Sequence, residues 1–118
     1  MNLAVLIGTL SSAPDRRELA SGDVLVQLQV TTRTGAVTRS VPVAVVNPPA
    51  WVETLDSGAP LVVLGSAQRR FFRTATGTSS RTEIVAERVV RASDSRGRAR
   101  LFERAGAILV EARVSSAP

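Results

Sequence analysis

Cysteine, histidine, lysine and tyrosine are all missing from this sequence. Without Cys there is neither a disulfide framework nor a thiolate metal site. Without His the commonest general base and the other frequent zinc ligand are gone, which argues against metal-hydrolase and cysteine chemistry. Aromatic side chains are scarce, with three Phe and one Trp in 118 residues. No uncharged apolar stretch approaches the about 18 residues that a membrane-spanning helix needs. The N-terminal apolar run, residues 3–7, is short and has no basic leader, so it lacks the pattern of a secretory signal. These absences lead us to expect a cytoplasmic protein with no membrane partner and no cofactor.

What is present suits one folded domain. A chain of 118 residues can bury one hydrophobic core, and 44% of it is hydrophobic, mostly Val, Leu, Ala and Ile. All fifteen basic residues are Arg, against ten acidic ones, for a formal net charge of +5. A positive surface favours polyanions, and guanidinium adds planar hydrogen bonding and stacking that an ammonium lacks. A GC-rich genome accounts equally well for Arg in place of Lys, but the net positive balance holds on either account.

The patterning is mostly of strand type. Residues 3–7 are apolar on both faces and end at Gly8, as in a covered first strand with a bend or bulge at the glycine. A polar stretch around Pro14, Asp15, Arg16 and Arg17 and a turn at Gly22 follow. Residues 24–30 then alternate, with Val26, Leu28 and Val30 on one side and Gln27 and Gln29 on the other. A short link at Arg33-Thr34-Gly35-Ala36 leads to Val41, Val43 and Val45, predicting a hairpin, with Pro42 tolerable on an edge or at a bulge. Asn47 as N-cap, Pro48 and Pro49, the stripe Trp51, Val52 and Leu55, and Gly58 as terminator predict a two-turn helix. A long strand from Leu61, with a bulge at Gly65, runs to Arg73, turns near Gly77 and returns through residues 81–91. Five strands with a short helix between the third and fourth are the element order of the OB-fold, a Greek-key barrel. Residues 93–98 have the composition of a linker. Leu101, Phe102, Ala105, Ile108, Leu109 and Ala112 follow a helical stripe, although Gly106 weakens it and residues 108–114 fit a strand as well.

The opening Asn2-Leu3-Ala4-Val5-Leu6-Ile7-Gly8-Thr9-Leu10, with Pro14, Arg17 and Gly22 after it, resembles the start of bacterial single-stranded DNA-binding proteins. Ser57-Gly58, Gly65, Arg70, Phe72, Gly77 and Thr82-Glu83-Ile84-Val85-Ala86-Glu87 look like that family's fourth and fifth strands. The resemblance covers residues 1–92, leaving 93–118 as linker and C-terminal extension. It implies an all-β, five-stranded OB barrel, a homo-oligomer (dimer or tetramer), a nucleoid-associated location, and binding of single-stranded DNA with little sequence preference in replication, repair or recombination. Phe72 matches a position that is aromatic in the family. Two other such positions fall near Ser40 and Val46, and the shortened loop at residues 33–39 drops a third, so stacking capacity is reduced. The chain ends Val114-Ser115-Ser116-Ala117-Pro118 without the family's acidic tip, so recruitment of proteins through such a tip is not expected.

The strongest local cluster is Gln68-Arg69-Arg70-Phe71-Phe72-Arg73, which places cations beside aromatic faces along a strand, as a surface that tracks phosphates and stacks bases requires. Alternation puts Arg70 and Phe72 on one face and Arg69, Phe71 and Arg73 on the other, so one Phe can face the core while the other faces a ligand. The alternative is that both Phe pack in the barrel or at a subunit interface with solvated Arg beside them. Arg33, Arg39 and Arg81, in or beside loops, form a second rank of phosphate contacts, or ordinary solvated arginines. Arg17, which carries part of the family resemblance, fits a phosphate contact and, beside Asp15 and Glu18, a surface ion pair equally well, and Trp51 fits the core or an interface better than a stacking role. The series Arg96, Arg98, Arg100 and Arg104 adds either nonspecific attraction or a solvated face. No paired carboxylates, phosphate-cradling Gly loop or nucleophile–base set is present, so no enzyme is expected. The alternative to a DNA-binding module is an OB-fold assembly protein, a primosomal-type accessory, with weak or no nucleic-acid binding.

Overall fold

The computed structural model describes residues 1–115. In chain order its elements are β1 (Ala4–Leu10), β2 (Asp15–Glu18), β3 (Val24–Thr34), β4 (Val37–Val46), α1 (Ala50–Glu53), β5 (Pro60–Thr74), β6 (Gly77–Arg91) and α2 (Ser95–Ser115). The sheet closes on itself. β1 pairs with β5 along one edge and with β3 through residues 8–10. β3 pairs with β4, β4 runs parallel to β6 at Val43↔Ile84 and Ala44↔Val85, and β6 returns antiparallel to β5. The polar stretch at residues 15–18 is not a loop: it pairs with residues 24–27 as β2. β1 and β2 together therefore serve as one broken strand of a five-stranded barrel, with α1 between its third and fourth strands.

Alternation fills the interior. Val26, Leu28 and Val30 from β3, Val43 and Val45 from β4, Leu61 and Val63 from β5 and Ile84 from β6 meet in one core with Leu10. Each fully buried aliphatic side chain contributes about 1.5–3 kcal/mol. Val52 and Leu55 from α1 join the same core, and Trp51 packs against it half-buried. Two glycines permit the closure. A side chain on Gly8, where β1 pairs with β3 and β5 together, would collide with the carbonyl oxygen of Thr31, and one on Gly65 would collide with that of Val85. The expected bulge lies at Gly65, with the extra residue, Glu87, on β6. Pro42 precedes the point where β4 meets β6, so it sits on an edge segment.

Several expectations are corrected. α1 is one turn, not two, and Asn47 does not cap it. Asn47 has a φ of 49°; its Oδ1 accepts from the Val24 N–H (2.8 Å) and its Nδ2 donates to Asp23 Oδ1 (3.0 Å), fixing the start of β3. Asn tolerates positive φ and bonds the backbone locally, and here that use displaces the cap. Gly58 does not terminate the helix; its N–H donates to the Leu10 carbonyl (2.7 Å) in the turn before β5. β1 is not covered on both faces: Ile7 is 63% exposed and Val5 39% exposed, because no element among the described residues lies over its outer side.

The tail is helical. α2 begins at Ser95, inside the segment with linker composition, because Asp94 Oδ1 accepts from the Gly97 N–H (2.9 Å) as an N-cap. Leu101 and Ala105 bury against Val62 and Leu64 of β5, with Leu3, Val90 and Ile108 at the margin. Ser116-Ala117-Pro118, part of the ending on which the absent acidic tip is read, lie outside the described residues.

Candidate nucleic-acid interface

β5 leaves its pairing with β1 after Gly65, and β6 meets β4 only at Ile84 and Val85. Residues 68–74 and 77–83 therefore project from the barrel as a two-stranded ribbon, paired to each other from Gln68↔Glu83 to Thr74↔Gly77. Beyond its base, where Glu83 is buried, the ribbon has no core beneath it and residues 71–82 of both its strands and its turn are exposed. That corrects the expectation that one phenylalanine would turn inward: Phe71 is 68% exposed and Phe72 42%.

Arg70 and Arg81 are directly opposed across the ribbon, with Phe72 one alternation further out. Between this face and strands β2 and β3 lies a groove of about 420 Å³, lined by Arg17, Gln27, Arg70, Phe72, Arg73 and Arg81. Arg73 lines it although alternation places it on the other face, as the strong twist of two-stranded ribbons permits. Arg17 lines it while pairing with Asp15 (3.6 Å).

Two like charges opposed across a ladder repel, and Glu83 offsets this. Glu83 is 5% exposed, with Oε1 3.5 Å from Arg70 Nη1 and Oε2 3.7 Å from Arg81 Nη2. Gln27, in the amide orientation that satisfies its neighbours, accepts through Oε1 from Arg81 Nη2 (3.0 Å) and Arg70 Nη1 (3.2 Å). Glu83 Oε2 has no hydrogen-bond partner among the described residues. The two arginines are thus held at fixed positions and partly neutralised, while Arg73 takes part in no ion pair among the described residues. Chemically, the groove offers a flat aromatic face, oriented guanidinium donors that share one carboxylate, and, in Arg73, a cation with no ion pair among the described residues.

Of the residues singled out from the sequence, Arg17, Arg70, Phe72, Arg73 and Arg81 come together here. Arg69 lines a smaller groove of about 270 Å³, walled by Leu25, Ala44, Val46 and Val85. Phe71 lies outside both grooves. Arg33 and Arg39 sit near the tip of the β3–β4 hairpin, opposite Thr38 and Thr32, and line neither groove. Gln27 and Glu83 were missed; Glu83 shares the strand parity of Arg81, which was the available signal. Ser40, near an expected aromatic position, donates instead to Gln29 Oε1 (3.3 Å). Trp51 has the core role, with the Arg91 guanidinium stacked 4.6 Å from its ring centroid.

No family model matches the sequence, and no curated protein does. Among solved structures, the chain is similar to the wild-type single-stranded DNA-binding protein from Thermus aquaticus, with a TM-score of 0.66 and 24% identity over 80% of this chain and 42% of that one. The barrel has the OB-fold. This chain spans less than half the length of that neighbour. Among the described residues, no group of three or more metal-ligating side chains comes together, and no helix is long and apolar enough to cross a membrane.

Proposed function

We propose that this chain is a non-enzymatic OB-fold module that binds single-stranded DNA with little sequence preference, in replication, repair or recombination. Residues 1–92 form the binding domain and 93–118 an extension to it. The observation that carries the reading is the ribbon groove: Phe72 beside Arg70, Arg73 and Arg81 combines a stacking platform with phosphate donors. Arg69, Phe71, Arg33 and Arg39 lie outside the groove and act as peripheral contacts along the strand's path. The uncovered Val5 and Ile7 on β1 support the homo-oligomeric part of the reading, since burying them against a second copy would complete the outer face of that strand.

The test is fluorescence-anisotropy titration of labelled oligo-dT at low and moderate salt, with Phe72→Ala and Arg70→Ala beside the unsubstituted protein. Binding that weakens with salt, at a log–log slope of about −0.7 per phosphate contacted, and that both substitutions impair is the expected result. Absence of binding at low salt overturns the reading. It would favour an OB-fold assembly protein, for which the partial neutralisation of Arg70 and Arg81 by Glu83 is the specific support.

A further inference from the structure

The far end of β6 borders a second cationic groove, of about 460 Å³, that the ribbon reading leaves unused. It lies between α1 and the start of α2, and its lining includes Trp51, Arg88, Arg91, Asp94, Gly97 and Arg100. Past Val85, β6 pairs with β5 alone among the described residues, so the groove runs beside a strand edge. Arg91 is stacked on Trp51, which fixes the plane of its guanidinium and leaves the N–H edge free to donate. Arg88 and Arg100 are exposed and take part in no ion pair among the described residues. The acid in the groove, Asp94, already accepts from the Gly97 N–H (2.9 Å). Three guanidinium groups thus face one carboxylate that is already engaged.

That arrangement selects an elongated anion. A compact anion needs donors converging on one point, whereas these arginines come from two positions on β6 and one on α2, beside half-buried Val89 and Val90. Repeated charges along a chain meet such a spread of donors. We infer that this groove holds the sugar–phosphate backbone of single-stranded nucleic acid, as a second track for a strand that also occupies the ribbon groove. The inference rests on the single-strand reading, and the connection between the tracks is β6 itself, which carries Arg81 at the first and Arg88 and Arg91 at the second. α2 thereby becomes part of the binding surface and not merely a cover for β5.

The sole tryptophan sits in this groove, so its emission reports occupancy directly. Two oligo-dT lengths are compared: about 5 nucleotides, near the lower limit of what one OB barrel covers, and about 30 nucleotides, longer than one barrel's site. The unsubstituted protein is compared with the double variant Arg88→Gln, Arg100→Gln and with Phe72→Ala. The expected result is that the longer oligonucleotide alone changes Trp51 emission. The double variant also makes its salt slope shallower by about 1.4, two contacts at about 0.7 each, and leaves the shorter titration unchanged. If the longer oligonucleotide leaves Trp51 emission unchanged and the double variant leaves its salt slope unchanged, while Phe72→Ala still weakens binding, the second track is overturned and the single-strand reading stands. Absence of binding to either length by the unsubstituted protein overturns both. A response of Trp51 to polyglutamate but not to the longer oligonucleotide assigns the groove to an acidic peptide and overturns the inference.

Discussion

Phe72 offers the ribbon groove its aromatic face, and its loss sets the scale of what stacking contributes there. Removing one stacking platform costs about 1–3 kcal/mol, so Phe72→Ala should weaken oligo-dT binding roughly 5- to 150-fold by anisotropy, with Phe71→Ala, outside the groove, having a smaller effect. Glu83 acts in the opposite sense. Glu83→Gln keeps its shape and removes its charge, leaving Arg70 and Arg81 free to attract phosphate while repelling each other. Oligo-dT affinity at low salt should rise several-fold and the salt slope should steepen. Stability in urea should fall by about 1–2 kcal/mol, less than the about 3–5 of a fully buried pair because both arginines are about two-fifths exposed. Unchanged affinity would mean that Glu83 does not limit the charge of the groove. At this scale strand alternation placed Arg70 and Phe72 on one face without knowledge of the fold, whereas Arg81 was singled out only for its place beside a loop. Arg17 was legible only as a residue with two equal readings, and the structure gives it both, an ion pair with Asp15 and a place in the groove. Gln27 was not legible as a site residue, since it reaches the groove only through the way the ribbon lies against β2 and β3, distant in the chain.

The strands were legible where a simple period ran through them, as in β3 and β4. The errors fell where one residue had two uses. Asn47 has the chemistry of a helix cap and of a left-handed turn, and the tertiary demand of aligning Asp23 and Val24 decided between them. Residues 93–98 look like linker because Ser, Asp and Gly dominate, yet Asp94 starts a helix whose stability comes from Leu101 and Ala105 further on. Leu101 is fully buried at that contact, so Leu101→Ala should cost about 2–5 kcal/mol if barrel and helix unfold together. The checking measurement is urea denaturation followed by far-UV circular dichroism. A separate early transition, with the barrel's midpoint unchanged, would show instead that α2 docks as an independent unit.

For the molecule as a whole, the fold class was readable in the order of elements and in the resemblance, whereas the extra strand β2 was not, because residues 15–18 are exposed and carry no apolar alternation. The charge behaviour follows from composition alone. With no His, Cys, Lys or Tyr, no side chain has an ordinary pKa between those of carboxylates and arginine. At fixed salt, oligo-dT affinity should therefore be flat to within about twofold between about pH 6 and about pH 8.5. A steep change across that range would require the chain's α-amino group or a shifted carboxylate to act on the site.

The parallel contact between β4 and β6 rests on two residue pairs, whereas β3 and β4 share ten. A cylinder fastened so lightly along one line has a built-in clasp. Opening it would separate the β3–β4 hairpin from the β5–β6 hairpin while each kept its own ladder, which is the kind of partial opening that proceeds below the cost of global unfolding. Backbone amides of residues 43, 44, 84 and 85 that bond across this line should then exchange with deuterium faster than those along the β3–β4 ladder. Equal protection across the two would mean that the barrel opens only as a whole.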